Sequence, residues 1–349
     1  MSLEMVDGLQ YNTPIIPISD WLYHDNILQK YAEEERIQRN KLASLYRLAD
    51  IFQWSQGLYN HITVRVSEES DNKLPEFLIN PFGLLYQEIT ATSLVKVDLA
   101  GNVLDSGTAN MSINQAGYVL HSAIHAARPD VKCLVHLHTP VVAAVSAMKC
   151  GVLPISQEAM VVGPISYYDY KGIVSLENEK EEIASALGKK NIMILRNHGF
   201  VVCGESIEDA LHLTFNLILA CQTQIRALRS VNLSEIIIPD PSAVERAYNL
   251  TRNTGGGGVL RENGSEIEKR NAAHSTNNWR IGEIEFEAWM RVLDSAQCVQ
   301  GLTKAQRIAQ LRFKKQRDWR WIGTSSCNYR RIELKETATD NSKLFVKVN

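Results

Sequence analysis

Along residues 30–235, hydrophobic positions recur with two different periods, one typical of helices and one typical of strands. In residues 26–54 the apolar side chains lie three or four positions apart, which predicts a long amphipathic helix with Gly57 as its C-terminal cap. In residues 58–80 apolar and polar side chains alternate, which predicts antiparallel strands. The same reasoning predicts a hairpin over residues 94–104.

A helix and a strand are predicted next to each other in the middle of the chain. Apolar residues follow the helical period over residues 113–127, with Ser112 as a suitable N-cap and Arg128-Pro129 as a stop signal. The run V-K-C-L-V-H-L-H-T, residues 131–139, is apolar and rich in β-branched residues between turn signals. It predicts a buried strand.

Further elements complete the pattern. Helices are predicted over residues 139–148 and 176–187, and another begins at Ser206, where S-x-x-D resembles a capping box. Between these last two, residues 191–204 predict two strand ends joined by a turn. Strands and helices thus mix throughout, which predicts one α/β domain, a sheet covered by helices on both faces.

Two histidines of the predicted 131–139 strand are the first candidate site residues. His136 and His138 are two positions apart, so a strand projects both imidazoles from one face. A strand can present two metal ligands in this way, although such a pair also occurs as hydrogen-bonded structure.

A third histidine makes a metal site a stronger interpretation. His198 lies in the turn of N-I-M-I-L-R-N-H-G-F-V-V-C-G, between two predicted strand ends. Three imidazoles without an obvious fourth protein ligand resemble a zinc site with an open position more than a closed structural site. We refer to His136, His138 and His198 as the histidine trio.

Composition limits the class of protein. The 349 residues carry a net charge of −2, which gives no electrostatic footprint for nucleic acid. The six cysteines include no C-x-x-C pair, which favours a reducing compartment. No signal peptide or run of 18 apolar residues is present, so we expect a soluble, cytoplasmic protein with peripheral membrane contact only.

The ends of the chain differ in character from its middle. Residues 1–28 are expected to form an N-terminal arm, and residues 29–240 a head domain. Residues 241–280, with four consecutive glycines, are expected to be a flexible linker. Residues 281–349 are expected to be a helical and basic C-terminal region, beginning with a helix over residues 281–294.

A basic cluster with interspersed aromatic residues lies in residues 304–321. One interpretation is a solvated helix face, and the other is a contact with an anionic membrane surface or a protein partner. The candidate partner-binding residues are Lys304, Arg307, Arg312, Lys314, Lys315, Arg317 and Arg320.

Several motifs resemble those of a known family. H-L-H-T-P, V-D-L-A-G-N-V, A-A-R-P-D and R-N-H-G, in the order they share with it, resemble the class II aldolase and adducin superfamily. M-K-C-G-V-L-P-I-S, G-L-L-Y-Q-E-I-T and I-G-E-I-E-F-E-A-W-M-R resemble its adducin branch, over residues 35–295. The resemblance implies a class II aldolase-like α/β domain with a mixed or antiparallel central sheet, followed by a partly disordered neck.

The resemblance also assigns roles to individual positions. It places the metal ligands on the histidine trio, with zinc as the implied metal. The glutamate that moves protons in the aldolases falls on Gly117, counted back from His121, and glycine cannot transfer a proton. We therefore expect no catalytic residues and no required cofactor. The trio then holds a structural metal, or it is inherited packing without any metal.

The phosphate-binding positions of the aldolases are altered as well. Gln115, Ala116 and Phe82 stand where the family has hydroxyl side chains, and Asn60 and Gly83 are retained. Contacts to a sugar phosphate are thereby lost. The acidic residues nearest in sequence are Glu158 and Asp169, which either replace the lost glutamate or are ordinary loop carboxylates.

The adducin resemblance implies a non-enzymatic scaffold of the membrane cytoskeleton. Its implied partners are actin filaments, spectrin and identical or related adducin-type chains, at the cytoplasmic face of the plasma membrane. Adducins carry a lysine-rich tail that this sequence does not include, and our hypothesis is that residues 304–321 substitute for it in part. The alternative is a zinc-dependent aldolase or epimerase acting on a small sugar or sugar phosphate.

Overall fold

A computed structural model describes residues 30–67, 74–172, 177–253 and 280–298. The chain divides into two units, Met1–Leu302 and Thr303–Asn349, and every described residue belongs to the first. The predicted N-terminal arm and the basic cluster of residues 304–321 lie outside the described residues. No described helix is both long and apolar enough to span a membrane.

Eight strands form one sheet, and their positions agree with the alternating segments of the sequence. Only β6 and β7 run parallel, and all other neighbours are antiparallel, so the expected mixed sheet is confirmed. The spatial order is β4-β3-β2-β1-β5-β8-β7-β6. The strands are β1 His61–Arg65, β2 Glu76–Ile79, β3 Val95–Asp98, β4 Val103–Asp105, β5 Cys133–Leu137, β6 Ile165–Tyr168, β7 Ile192–Leu195 and β8 Gly199–Gly204.

Helices cover both faces of this sheet, as the sequence predicts. Side chains of β5 alternate between two cores, because successive residues point to opposite faces. The helices are α1 Glu33–Ile51, α2 Gln115–Ala127, α3 Pro140–Ser146, α4 Gln157–Val161, α5 Glu177–Leu187, α6 Ile207–Ala227, α7 Pro241–Asn253 and α8 Glu283–Cys298. Helices α2 and α5 pack on one face, whereas α1, α3, α6 and α8 contribute to the core on the other.

The predicted ends of two helices, α1 and α2, are wrong. Helix α1 begins at Glu33 and its C-cap is Phe52, so Gly57 lies beyond the helix in a turn with φ +66°. The N-cap of α2 is Asn114 rather than Ser112, because the Asn114 side chain accepts the Gly117 N–H at 3.2 Å. The predicted Ser206 cap of α6 is confirmed by its hydrogen bond from the Asp209 N–H.

The predicted linker over residues 241–280 is wrong for its first thirteen residues, which form α7. Arg252 of α7 forms an ion pair with the buried Asp209 of α6, which fastens α7 to the head. Residues 254–279 lie outside the described residues.

The helix predicted at the start of the C-terminal region also belongs to the head. Phe286 and Leu293 of α8 are buried in the main core. The Trp289 ring lies 4.6 Å from Phe52 and 5.8 Å from Phe215, between their centroids. The head core therefore extends past residue 240 and includes α8.

Candidate metal centre

The first two members of the histidine trio lie where β5 ends. His136 is buried, and its Nδ1 donates to the Phe200 carbonyl of the neighbouring strand β8 at 2.9 Å. A carbonyl only accepts hydrogen bonds, so the proton must be on Nδ1. This tautomer leaves the lone pair on Nε2, the atom that faces His138.

The retained Asn60 holds the backbone at the second histidine. Its Oδ1 accepts the His138 N–H at 2.9 Å, and its Nδ2 donates to the Gln56 carbonyl at 3.0 Å. Asn60 is fully buried, so its amide links the segment before β1 to the end of β5. In this fold Asn60 therefore positions the backbone of His138, a candidate metal-binding residue.

The third member, His198, sits in the turn between β7 and β8, as the sequence predicts. The preceding Asn197 has φ +58°, a conformation that asparagine tolerates better than most residues. The His198 N–H donates to the Leu195 carbonyl at 3.1 Å. Its ring stacks on Tyr170, with centroids 3.9 Å apart and planes 15° apart.

The trio is brought together as a group that fits one metal ion. One ligand atom from each imidazole lies within 4.8 Å of the other two, and the Nε2 atoms of His136 and His138 are 2.9 Å apart. Within the described residues this is the one such group, and it contains no carboxylate. Three imidazoles with no fourth protein ligand suit zinc with an open position.

Burial keeps these imidazoles neutral. It lowers the pKa of His136 well below the usual 6.5, lowers that of His138, and lowers the pKa of His198 to about 4. Neutral histidine is the form that binds a metal. The trio is therefore available to a cation at neutral pH without competition from protons.

A fourth histidine, His61, lies beside the trio. It is the register partner of His136 in the β1–β5 pair, and the two ring centroids are 6.2 Å apart. The Asn114 amide donates to its Nε2 at 3.1 Å, whereas its buried Nδ1 has no partner within the described residues. Burial, with a smaller contribution from His138, lowers the pKa of His61 to about 4.

Two more histidines of α2 extend this buried network. The Thr63 hydroxyl lies 2.8 Å from His121 Nδ1 and 2.8 Å from His125 Nε2, so it donates to one ring and accepts from the other. Burial is the main cause that lowers the pKa of both rings, to about 3 for His125. Six histidines have now been described, the trio together with His61, His121 and His125. All of them except His198 lie between α2 and the β1–β5 pair or at the end of β5.

Gly117 faces His61 directly. A Cβ atom built on Gly117 would overlap Cε1 of His61 and lie only 2.6 Å from its Nε2. The imidazole thus fills the space that a side chain at residue 117 would need. Sequence reasoning missed His61, although the alternation of β1 places it on the side opposite Ile62, the side that faces α2.

The other positions carried over from the resemblance lie near the surface. Gln115 donates to the Gly101 carbonyl at 2.9 Å, and the exposed Phe82 ring lies 6.1 Å from Tyr59. Ala116 and Gly83 are exposed as well. None of these four positions offers an anion a charged or hydroxyl side chain.

The two remaining acidic candidates are not part of the metal-binding group. Glu158 lies in the short helix α4, and Asp169 is exposed directly after β6. The cluster of candidate ligands contains neither of them.

Comparison with known proteins agrees with this fold. Residues 40–225 match the family described as Class II Aldolase and Adducin N-terminal domain. Adducin-related protein 1 from Caenorhabditis elegans is 49% identical over 82% of this chain and 36% of its own length. Alpha-adducin from Rattus norvegicus is 48% identical over 80% of this chain and 36% of its own length.

A solved structure shows the same architecture. The aldolase II superfamily protein from Pseudomonas syringae is 39% identical, with a TM-score of 0.60, over 70% of this chain and 93% of its own. The chain spans little more than a third of the length of the two curated relatives it matches. On these similarities, the chain belongs to the class II aldolase and adducin family and is an adducin-type member of it.

Proposed function

We propose that this chain is a non-enzymatic scaffold of the membrane cytoskeleton. It would bind actin filaments and spectrin and promote their network at the cytoplasmic face of the plasma membrane. The aldolase-like head would serve association with identical or related adducin-type chains rather than chemistry.

The observation that carries this proposal is the pair His61 and Gly117. Aldol chemistry on a ketose needs a group that removes a proton, beside a cation that stabilises the resulting ene-diolate. Residue 117 has no side chain, and the His61 ring occupies the adjoining space. A single substitution that restores a carboxylate at residue 117 would therefore collide with His61.

The altered phosphate-binding positions support the same proposal. A sugar phosphate needs several charge-assisted hydrogen bonds to be held in place. The Gln115 amide is already used by a main-chain carbonyl, and Phe82 presents an aromatic ring to solvent. These surroundings favour contact with a protein over capture of a small anion.

The histidine trio has a structural role under this proposal. Its residues fit a zinc ion, and a cation there would link the end of β5 to the β7–β8 turn. The free energy of binding then becomes free energy of folding.

The test is co-sedimentation of spectrin with actin filaments, with and without the purified full chain. We expect more spectrin in the pellet when the chain is present. The triple variant Lys314→Ala/Lys315→Ala/Arg317→Ala should reduce this gain, and Lys149→Ala/Lys189→Ala/Arg280→Ala, at exposed positions of the head, should not. No gain of pelleted spectrin at any concentration would contradict the proposal.

A zinc-dependent lyase or epimerase of small sugars is the second candidate, and the open side of the trio favours it. This function predicts a stoichiometric divalent metal and turnover that is lost in His136→Ala. Elemental analysis of the purified protein, followed by a substrate screen, separates the two candidates. Turnover would identify the chain as a zinc-dependent enzyme, whereas bound metal without turnover fits the non-enzymatic scaffold.

A further inference from the structure

The edge of the sheet at β4 exposes two apolar side chains. Val103 is 42% exposed and Leu104 is 50% exposed, and within the described residues β4 pairs with β3 alone. Natural proteins usually cover or blunt such an edge, because it invites pairing with other chains. The open side of β4 is therefore a surface for which an occupant is to be sought.

The form of β4 indicates that an occupant is held by side chains rather than by main-chain groups. The strand has three residues, and its register against β3 shifts by one. Val103 and Asp105 pair with neighbouring residues of β3, so Leu104 between them has no partner residue there. A strand this short and irregular is a poor template for an added strand. Its exposed apolar side chains are the surface to be covered.

The first described residues of the chain are fastened directly beside this edge. Lys30 forms an ion pair with the carboxylate of Asp105 at 3.2 Å, and the Tyr31 hydroxyl donates to the same carboxylate at 2.6 Å. Asp105 is the last residue of β4. The guanidinium of the fully buried Arg39 lies 3.8 Å from the centre of the Tyr31 ring. These contacts hold the chain at Lys30 and Tyr31 against the end of β4.

The residues that precede Lys30 in the sequence are suited to cover this edge. Helix α1 begins only at Glu33, and its N-cap Ala32 has φ −57° and ψ +155°, outside the helical range. The clamp on β4, rather than the axis of α1, therefore sets where the preceding residues start. Two of them, Ile27 and Leu28, are apolar, and they are two or three residues from Lys30, which is at most about 7–11 Å of chain.

We propose that Ile27 and Leu28, at the end of the N-terminal arm, pack on Val103 and Leu104 and cover the open edge of the sheet. Removal of these apolar side chains from water drives the contact, and the ion pair between Lys30 and Asp105 sets its position. The arm then shields β4 from pairing with other chains. This contact lies within one chain and does not depend on the cytoskeletal function proposed above.

Amide hydrogen exchange of the full chain tests the contact, measured by mass spectrometry on peptides that contain β4. Ile27→Asp/Leu28→Asp should speed exchange in residues 103–105 by about tenfold or more, because loss of the cover makes local opening easier. The control Ile15→Asp/Ile16→Asp makes the same change earlier in the same arm and should exchange like the wild type. Equal exchange in the two variants would overturn the proposal.

Cross-linking of introduced cysteines tests the same contact by proximity. Three native cysteines are fully buried and stay in the chain. The other three are replaced by serine in the background chain: Cys150, Cys298 and Cys327. A short bismaleimide then joins introduced cysteines that lie close together, and peptide mapping identifies the joined residues.

Two cysteine pairs are compared in this background. Leu28→Cys/Leu104→Cys should cross-link within one chain, because the proposal places these residues in contact. Leu28→Cys/Ile51→Cys is the control, since Ile51 is also exposed but ends α1, about 27 Å along the helix from Glu33. We expect a severalfold higher yield for the first pair. A yield no higher than that of the control would overturn the proposal.

Discussion

The imidazole of His61 occupies the space that a side chain at residue 117 would need, so His61 and Gly117 form one matched pair. Asn114, the N-cap of α2, completes the arrangement by donating to His61 Nε2 and accepting the Gly117 N–H. The position that the family resemblance assigns to proton transfer is thus filled by a ring from the neighbouring strand.

Adding a methyl group at residue 117 should destabilise the head. Alanine normally favours a helix over glycine by about 1 kcal/mol, but here its Cβ would overlap the His61 ring. We expect Gly117→Ala to lower the free energy of unfolding by about 1–3 kcal/mol, measured by denaturant titration. In a His61→Ala background the same substitution should be neutral or stabilising. A stabilising effect in the native background would show that the two positions are not matched.

Zinc should stabilise the folded chain through the histidine trio. At free zinc of about 100 times the dissociation constant, a single site adds about 2.7 kcal/mol to the free energy of unfolding. His136→Ala should remove the zinc-dependent rise in melting temperature. His125→Ala, at a buried histidine outside the trio, should melt lower but keep the response to zinc. An equal response to zinc in His136→Ala would place the ion elsewhere.

Mild acid should destabilise the head through its buried histidines. Burial holds the pKa of His61 at about 4, whereas the imidazole of an unfolded chain has a pKa near 6.5. Between these values the unfolded chain binds more protons, so stability falls as pH decreases from about 6.5 toward 4. The contribution of one such group is on the order of a few kcal/mol.

Substitution should show which groups cause this dependence. His61→Asn should flatten the curve of unfolding free energy against pH between 6.5 and 4, and so should His125→Asn, whose native pKa is about 3. The check is denaturant titration at a series of pH values. Unchanged slopes in both variants would assign the acid sensitivity to other residues.

Removal of the Trp289 side chain should destabilise the whole head, because α8 is part of its core. The ring is partly buried against Phe52 and Phe215, so we expect Trp289→Ala to cost about 2–4 kcal/mol. Val292→Ala, at an exposed position of the same helix, should cost little. A separate, weaker unfolding transition for α8 would instead mean that this helix folds independently of the head.

Local patterns in the sequence were enough to predict most of the fold and all three members of the trio. The period of two in residues 131–139 places His136 and His138 on one face, and the N-H-G turn carries His198. Each of these follows from a few neighbouring residues. The three imidazoles come together only because β5 lies beside β8. That proximity follows from the family resemblance and not from the local patterns.

The role of His61 and the placement of α7 depend on contacts between distant residues, whereas the N-cap of α2 depends on a local hydrogen bond. His61 becomes part of the site because β1 pairs with β5 in a register that sets it opposite His136. The sequence predicts a linker over the residues of α7, yet they form a helix that an ion pair between Arg252 and Asp209 anchors. Asn114 and Ser112 are equally good caps by residue type, and only the observed hydrogen bond distinguishes them.

Loss of proton transfer at residue 117 is the central claim, and deuterium exchange tests it most directly. The zinc-loaded chain is incubated with a ketose phosphate in deuterated water, and proton NMR follows exchange at the carbon beside the carbonyl group. We predict no exchange above that caused by zinc alone. Exchange that is catalysed by the chain and abolished by His136→Ala would contradict the account and identify a working enzyme.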